Sequence, residues 1–178
     1  MGRKLFFWEL AGFVWTAAAG TALHFLYGWS GGSAAAALIA AVNESTWEHM
    51  KLLFVPVFLF TLVQLGFLGK SRPNLLAVRA VSTLTGLVLI PGLFYTYAGV
   101  LGYSLPWVNI SVFYLSALAA FALDCRLLRR GRFDSPWQQL LGLAVLWALA
   151  FLFVWWTFRP PLLGLWRDPG MGGCGIGM

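Results

Sequence analysis

Leu52-Leu53-Phe54-Val55-Pro56-Val57-Phe58-Leu59-Phe60-Thr61-Leu62-Val63-Gln64-Leu65-Gly66-Phe67-Leu68 carries no charged side chain from end to end. A helix rises about 1.5 Å per residue, so this run comes close to spanning the ~30 Å hydrocarbon layer of a bilayer. Backbone amides in that layer must find partners within their own segment, which selects helix. Residues 5–26, 75–99, 108–127 and 137–158 read the same way. The whole chain agrees with its parts. Of 178 residues, 60% are hydrophobic and 10% are charged, against roughly 25% charged in a soluble domain. Twelve Lys and Arg with six Asp and Glu cannot cover a soluble surface of this size. Disorder needs low hydrophobicity and is excluded too. The expected fold is all-α: a polytopic membrane bundle of five transmembrane helices with a broken or extended second element.

That second element needs its own reading. Upstream of the long run lie apolar residues 34–42 and then the polar cluster Asn43-Glu44-Ser45-Thr46-Trp47-Glu48-His49-Met50-Lys51. One helix over residues 34–69 would be about 54 Å long, well beyond the bilayer core. Ser45 and Glu48 match a capping box, with Ser45 as N-cap. The break is therefore expected between Asn43 and Ser45, leaving 34–42 as a re-entrant piece, an interfacial helix or a continuation. Pro56 and Pro91 fall inside spans and each frees a carbonyl from its helical partner. Residues 1–160 are read as one transmembrane domain and 161–178 as a Pro/Gly-rich flexible tail.

Charge orders the ends. Arg3 and Lys4 precede the first span, Lys70 and Arg72 follow the second, and Arg126, Arg129, Arg130 and Arg132 follow the fourth. The loop at 99–107 has no charge. Cytoplasmic loops carry the excess of Lys and Arg, so the N-terminus is expected in the cytoplasm and the C-terminus outside. The net charge of +6 then anchors topology against anionic lipid and does not point to nucleic acid. Arg3 and Lys4 ahead of an apolar stretch resemble a signal peptide, but Glu9 interrupts that stretch, and a retained first helix is expected. The two cysteines, Cys125 and Cys174, form no disulfide framework or metal-type spacing.

This topology gathers chemistry on the outer side. The chain has two histidines. His24 ends the first span and His49 begins the long part of the second, at similar depth. Glu44, Glu48 and Lys51 accompany them, and Tyr95, Tyr97 and Tyr103 arrive from the third span and its loop. Imidazoles with carboxylates suit a divalent metal, zinc first. His24, His49, Glu44 and Glu48 are the candidate ligands, and the two histidines must lie within about 10 Å to share an ion. Glu48 or Glu44 is the candidate base, and Lys51 the residue to steady an anion. The corresponding function is a metal-dependent membrane hydrolase acting on a lipid or small polar substrate. Two other classes stand beside it: a small oligomeric solute or ion transporter, and a structural or accessory membrane subunit. The bland alternative is a helix cap anchored at the headgroups. Partners are expected to be membrane lipids and further copies of the chain.

On the inner side Glu9, Arg79 and Asp124 lie within spans, where a charge faces a partner or a cavity. Glu9 is expected to pair with Arg79, and Asp124 with Arg126 or Arg129. Small residues such as Gly12, Ala117, Ala120 and Gly142 are candidates for close helix contacts.

The stretch Val42-Asn43-Glu44-Ser45-Thr46-Trp47-Glu48-His49-Met50-Lys51, with His24-Phe25-Leu26-Tyr27, resembles a family of small prokaryotic integral membrane proteins of unknown function that carries a V-N-E-S-x-W-E-H-x-K motif. The resemblance covers the membrane region to about Phe158 and leaves out the glycine-rich end from Gly170. It implies a prokaryotic cytoplasmic membrane and no particular activity.

Overall fold

The computed structural model describes residues 2–170 and 172–176. Six α-helices follow one another: α1 (Gly2–Trp29), α2 (Ala34–Ala37), α3 (Thr46–Leu68), α4 (Leu75–Leu101), α5 (Pro106–Arg129) and α6 (Pro136–Phe158), with a 3₁₀ turn at Gly164–Trp166. There is no strand among the described residues. All helices but α2 are long and apolar enough to cross a membrane, and the protein is a membrane helix bundle. Helices α3 and α4 are the most enclosed; α1, α5 and α6 pack around them.

The distribution of polarity is that of a protein built for lipid. Phe7, Val14, Val88, Ile110, Leu115, Trp147 and Phe151 point outward. Glu9, Glu48, Lys51, Gln64, Arg79 and Asp124 are each no more than 3% exposed. Charges in a hydrocarbon layer turn inward to meet one another, and these do.

Close helix contacts fall at glycine. A Cβ on Gly142 of α6 would lie 2.7 Å from the Ala77 backbone of α4. One on Gly20 of α1 would lie 2.8 Å from the Leu52 carbonyl oxygen of α3 and 2.6 Å from the Phe113 ring of α5. That carbonyl is the one whose in-helix donor is missing at Pro56, four residues on. Neither Pro56 nor Pro91 ends its helix. The Trp15 indole donates to the Pro56 carbonyl at 3.0 Å and ties α1 to α3.

The second element is broken, and the continuous helix over 34–69 is excluded. The short α2 ends at Ala37, and residues 38–45 run non-helically to the N-cap of α3. Ser45 accepts from the Glu48 amide at 3.3 Å, as an N-cap should. The reciprocal half of the capping box is absent. Asn43 Oδ1 accepts from the Ser45 amide instead, and the Glu48 carboxylate turns inward.

The tail departs from expectation. It folds back over the end of the bundle opposite the basic loops. Trp166 is buried and stacks on Trp47 at 5.0 Å, and Trp156 meets both rings edge-on. The Ile176 amide donates to the Thr157 carbonyl, and the Asn43 side chain donates to the carbonyl of Gly175. These three large rings supply the apolar surface that the tail's glycines lack, and this is what holds the segment down. We call this the tail end and the other the basic end.

Candidate functional site

At the tail end α1 delivers His24, the loop before α3 delivers Glu44, and the first turn of α3 delivers His49. One ligand atom from each lies within 4.8 Å of the others, which makes them the one such group of His, Cys, Asp or Glu among the described residues. Glu44 bridges the two imidazoles. Its Oε1 is 3.7 Å from His24 Nε2 and its Oε2 is 3.5 Å from His49 Nε2. The rings are 5.4 Å apart, inside the reach of a shared ion.

Second contacts orient these groups. His49 Nδ1 lies 2.9 Å from the Ser45 carbonyl. A carbonyl only accepts, so Nδ1 bears a proton and donates to it, which leaves Nε2 facing Glu44. The Glu44 amide donates to Asp168 Oδ2 at 3.1 Å, and the Gly170 amide donates to Oδ1 of the same carboxylate. The folded tail thus fixes the loop that presents Glu44.

A cavity of about 390 Å³ opens beside the group. Glu44, His49 and Thr46 form one wall, with Ser104 and Asn109 as further polar points and Ile90, Phe94, Val112 and Phe113 as the apolar side. A neighbouring hollow of about 470 Å³ shares Thr46, Phe94, Pro169 and Gly170 with it and reaches Tyr95 and Arg167. Tyr97 is held away by Asn109, and Tyr103 faces outward.

Glu48 and Lys51 do not join this group. Their side chains pair at 2.6 Å and are buried. Glu48 Oε1 accepts from Thr157 of α6 at 2.8 Å and Oε2 accepts from the Val42 amide at 3.2 Å. Lys51 donates to the Ala37 carbonyl and to Thr157 Oγ1. Every polar atom of the pair is occupied, and together the two residues hold residues 37–42 and α6 against α3. Neither lines the cavity.

At the basic end Glu9 meets Arg79 at 3.3 Å, as the sequence suggested. Asp124 pairs with Arg79 as well, and not with Arg126 or Arg129. The reason is helical phase: Asp124 is buried on the α4 side of α5, whereas Arg126 and Arg129 are exposed. Gln64 and Ser82 complete the set. Gln64, Thr157 and Asp168 join these sets without having stood out in the sequence. The first two carried a readable signal, a polar side chain inside an apolar span. Asp168 carried none, lying in a stretch read as flexible.

The profile of a family of unknown function, DUF6512, matches residues 3–176, and the chain belongs to that family. The match takes in most of the glycine-rich end that the motif-based resemblance left out, in keeping with the packed tail. No curated protein and no solved structure matches the chain at a significant level.

Proposed function

We propose that His24, Glu44 and His49 bind a divalent metal, zinc first, and that the site serves hydrolysis of a lipid-borne or small polar ester or amide in the adjoining cavity. The observation that carries this reading is the convergence of two imidazoles and a carboxylate, from three separate segments, at the mouth of a cavity. Two His and one Glu form a ligand set that keeps one coordination position open. What zinc supplies at such a position is activation of water. Ligands of a filled tetrahedral site lie about 3.3 Å apart for bonds near 2 Å, so the three side chains need close in by only about an ångström. The Ser45 carbonyl on His49 is the kind of outer contact that raises an imidazole's basicity as a ligand.

Glu44 serves as ligand, and Glu48, buried with Lys51 and not lining the cavity, is not placed to act as base there. Glu48 and Lys51 act as positioning residues for the loop. The apolar wall of Ile90, Phe94, Val112 and Phe113 suits an acyl chain, and Ser104 and Asn109 suit the polar end of the same molecule.

The test is hydrolysis of a chromogenic acyl ester by the purified protein in detergent. Zinc-loaded protein is expected to turn over at least ten times faster than protein stripped with a chelator, and His49→Ala to behave like the stripped protein. Equal rates for loaded and stripped protein would remove the hydrolase reading.

A further inference from the structure

The basic half of the bundle holds an ionic network unrelated to the metal group. Four of the five long helices contribute: Glu9 from α1, Gln64 from α3, Arg79 and Ser82 from α4, and Asp124 from α5. None is more than 3% exposed. Gln64 Nε2 donates to Glu9 Oε1 at 3.0 Å. Arg79 donates to Glu9 Oε2 at 3.3 Å and to the side-chain oxygen of Gln64, and its guanidinium is ion-paired with the Asp124 carboxylate. Ser82 Oγ donates to Asp124 Oδ1 at 2.6 Å. The Phe121 ring lies 5.0 Å from the guanidinium carbon, and an apolar cluster of Leu5, Leu68, Leu75, Val78 and Leu128 adjoins the network toward the basic loops.

The charges do not balance. Two carboxylates and one guanidinium leave one negative charge. From α5, Cys125 and Arg129 flank the network on the basic side, where Arg129 donates to the Gly2 carbonyl and is exposed. Arg3 and Lys4 of α1 are exposed as well. Helix α6 carries no ionisable side chain at all. A lone buried charge is costly enough that the group neutralises instead, and two carboxyls sharing one site do not both ionise.

We propose that Glu9 and Asp124 form a proton-binding site in which the pair shares one proton beside Arg79. The proton comes from water and returns to it, and no other bond changes. The proton belongs to the pair and not to either residue. A sodium or potassium ion is the other way to balance the charge, and the geometry disfavours it. Three of the four carboxylate oxygens accept hydrogen bonds, from Gln64, Arg79 and Ser82, and the fourth, Asp124 Oδ2, is ion-paired with Arg79. A hard cation needs several free oxygens at once. Protonation therefore resets the charge at a point where α1, α3, α4 and α5 are tied together, which suits a membrane protein whose packing or traffic responds to protons.

The test is infrared difference spectroscopy of the protein in lipid nanodiscs near neutral pH. The wild type is expected to show the C=O band of a protonated carboxylic acid, shifted down on exchange into D₂O. Glu9→Gln and Asp124→Asn should each abolish that band. Either substitution leaves one carboxylate against one guanidinium, with no need for a proton. A Cys125→Ser variant should keep it. No such band in the wild type overturns the proposal, and so does a band that survives in both variants. A band that fades as sodium or potassium is raised at fixed pH would replace the proton with a cation. Where a variant does not fold, the wild-type band and its salt dependence still decide.

Discussion

Lys51 shows how single residues here serve the site from a distance. It is buried in the tail-end half of α3, and its ammonium meets Glu48, Thr157 and the Ala37 carbonyl. A buried pair is stable only while both partners are present; removing one strands the other. Lys51→Met is therefore expected to destabilise the protein by about 3 kcal/mol or more. The double variant Glu48→Gln with Lys51→Met should recover a large part of that loss, because no uncompensated charge remains. Thermal unfolding in one detergent, on all three proteins, checks this. Equal losses in the single and double variants would show that the pair matters through shape and not charge. The proposed metal ligands make the opposite demand. They are partly exposed, Glu44 to 61% of its side chain. Binding there should weaken as pH falls, since protons compete with metal for the imidazoles.

At the scale of elements, the helices are held by close approach and by polar ties, since lipid offers no hydrophobic drive between them. Gly142 sits where α6 crosses the start of α4, and the Ala77 amide there donates to Gln139 Oε1 at 3.1 Å. A methyl at Gly142 meets backbone atoms, which cannot rotate aside. Gly142→Ala is expected to cost about 1–3 kcal/mol and to lower the unfolding temperature. Gly92→Ala, where a Cβ meets nothing within 4 Å, should change stability by no more than about 0.5 kcal/mol. If both variants behave alike, close packing at Gly142 is not what seats α6. The element boundaries themselves were legible in the sequence, because hydropathy and helix length record the membrane directly. The expected span at 137–158 is helix α6 itself but for one residue, Pro136–Phe158. The break before Ser45 was legible too, through its capping residue.

At the scale of the whole molecule, the site is made by convergence. His24 lies on α1, twenty residues before Glu44 in the loop ahead of α3, yet their side chains meet. That meeting was partly legible, since five crossings place His24 and His49 at one depth. Which carboxylate would join them was not. Glu44 and Glu48 look alike in sequence, and the choice depends on Thr157 and the Val42 amide claiming Glu48. The tail was misread for a related reason. Glycine and proline advertise flexibility, while the contact that seats the tail is a single tryptophan, Trp166, on a ring that only the folded bundle exposes to it. Asp168, which steadies the Glu44 loop, came with that segment and was hidden by it. The basic end differs again. Glu9 and Arg79 announced themselves as charges inside spans, but Gln64 and the inward phase of Asp124 required the helices to be in place.

The metal content of the purified protein tests this convergence most directly. After loading with zinc and removal of excess, plasma mass spectrometry should find close to one zinc per chain. His24→Ala, Glu44→Ala and His49→Ala should each lose most of it, because the three segments form one site. The double variant Glu48→Gln with Lys51→Met, which strands no charge and lies outside the group, should retain it. No zinc above background in the wild type, or zinc that persists when all three ligands are replaced together, would contradict the account.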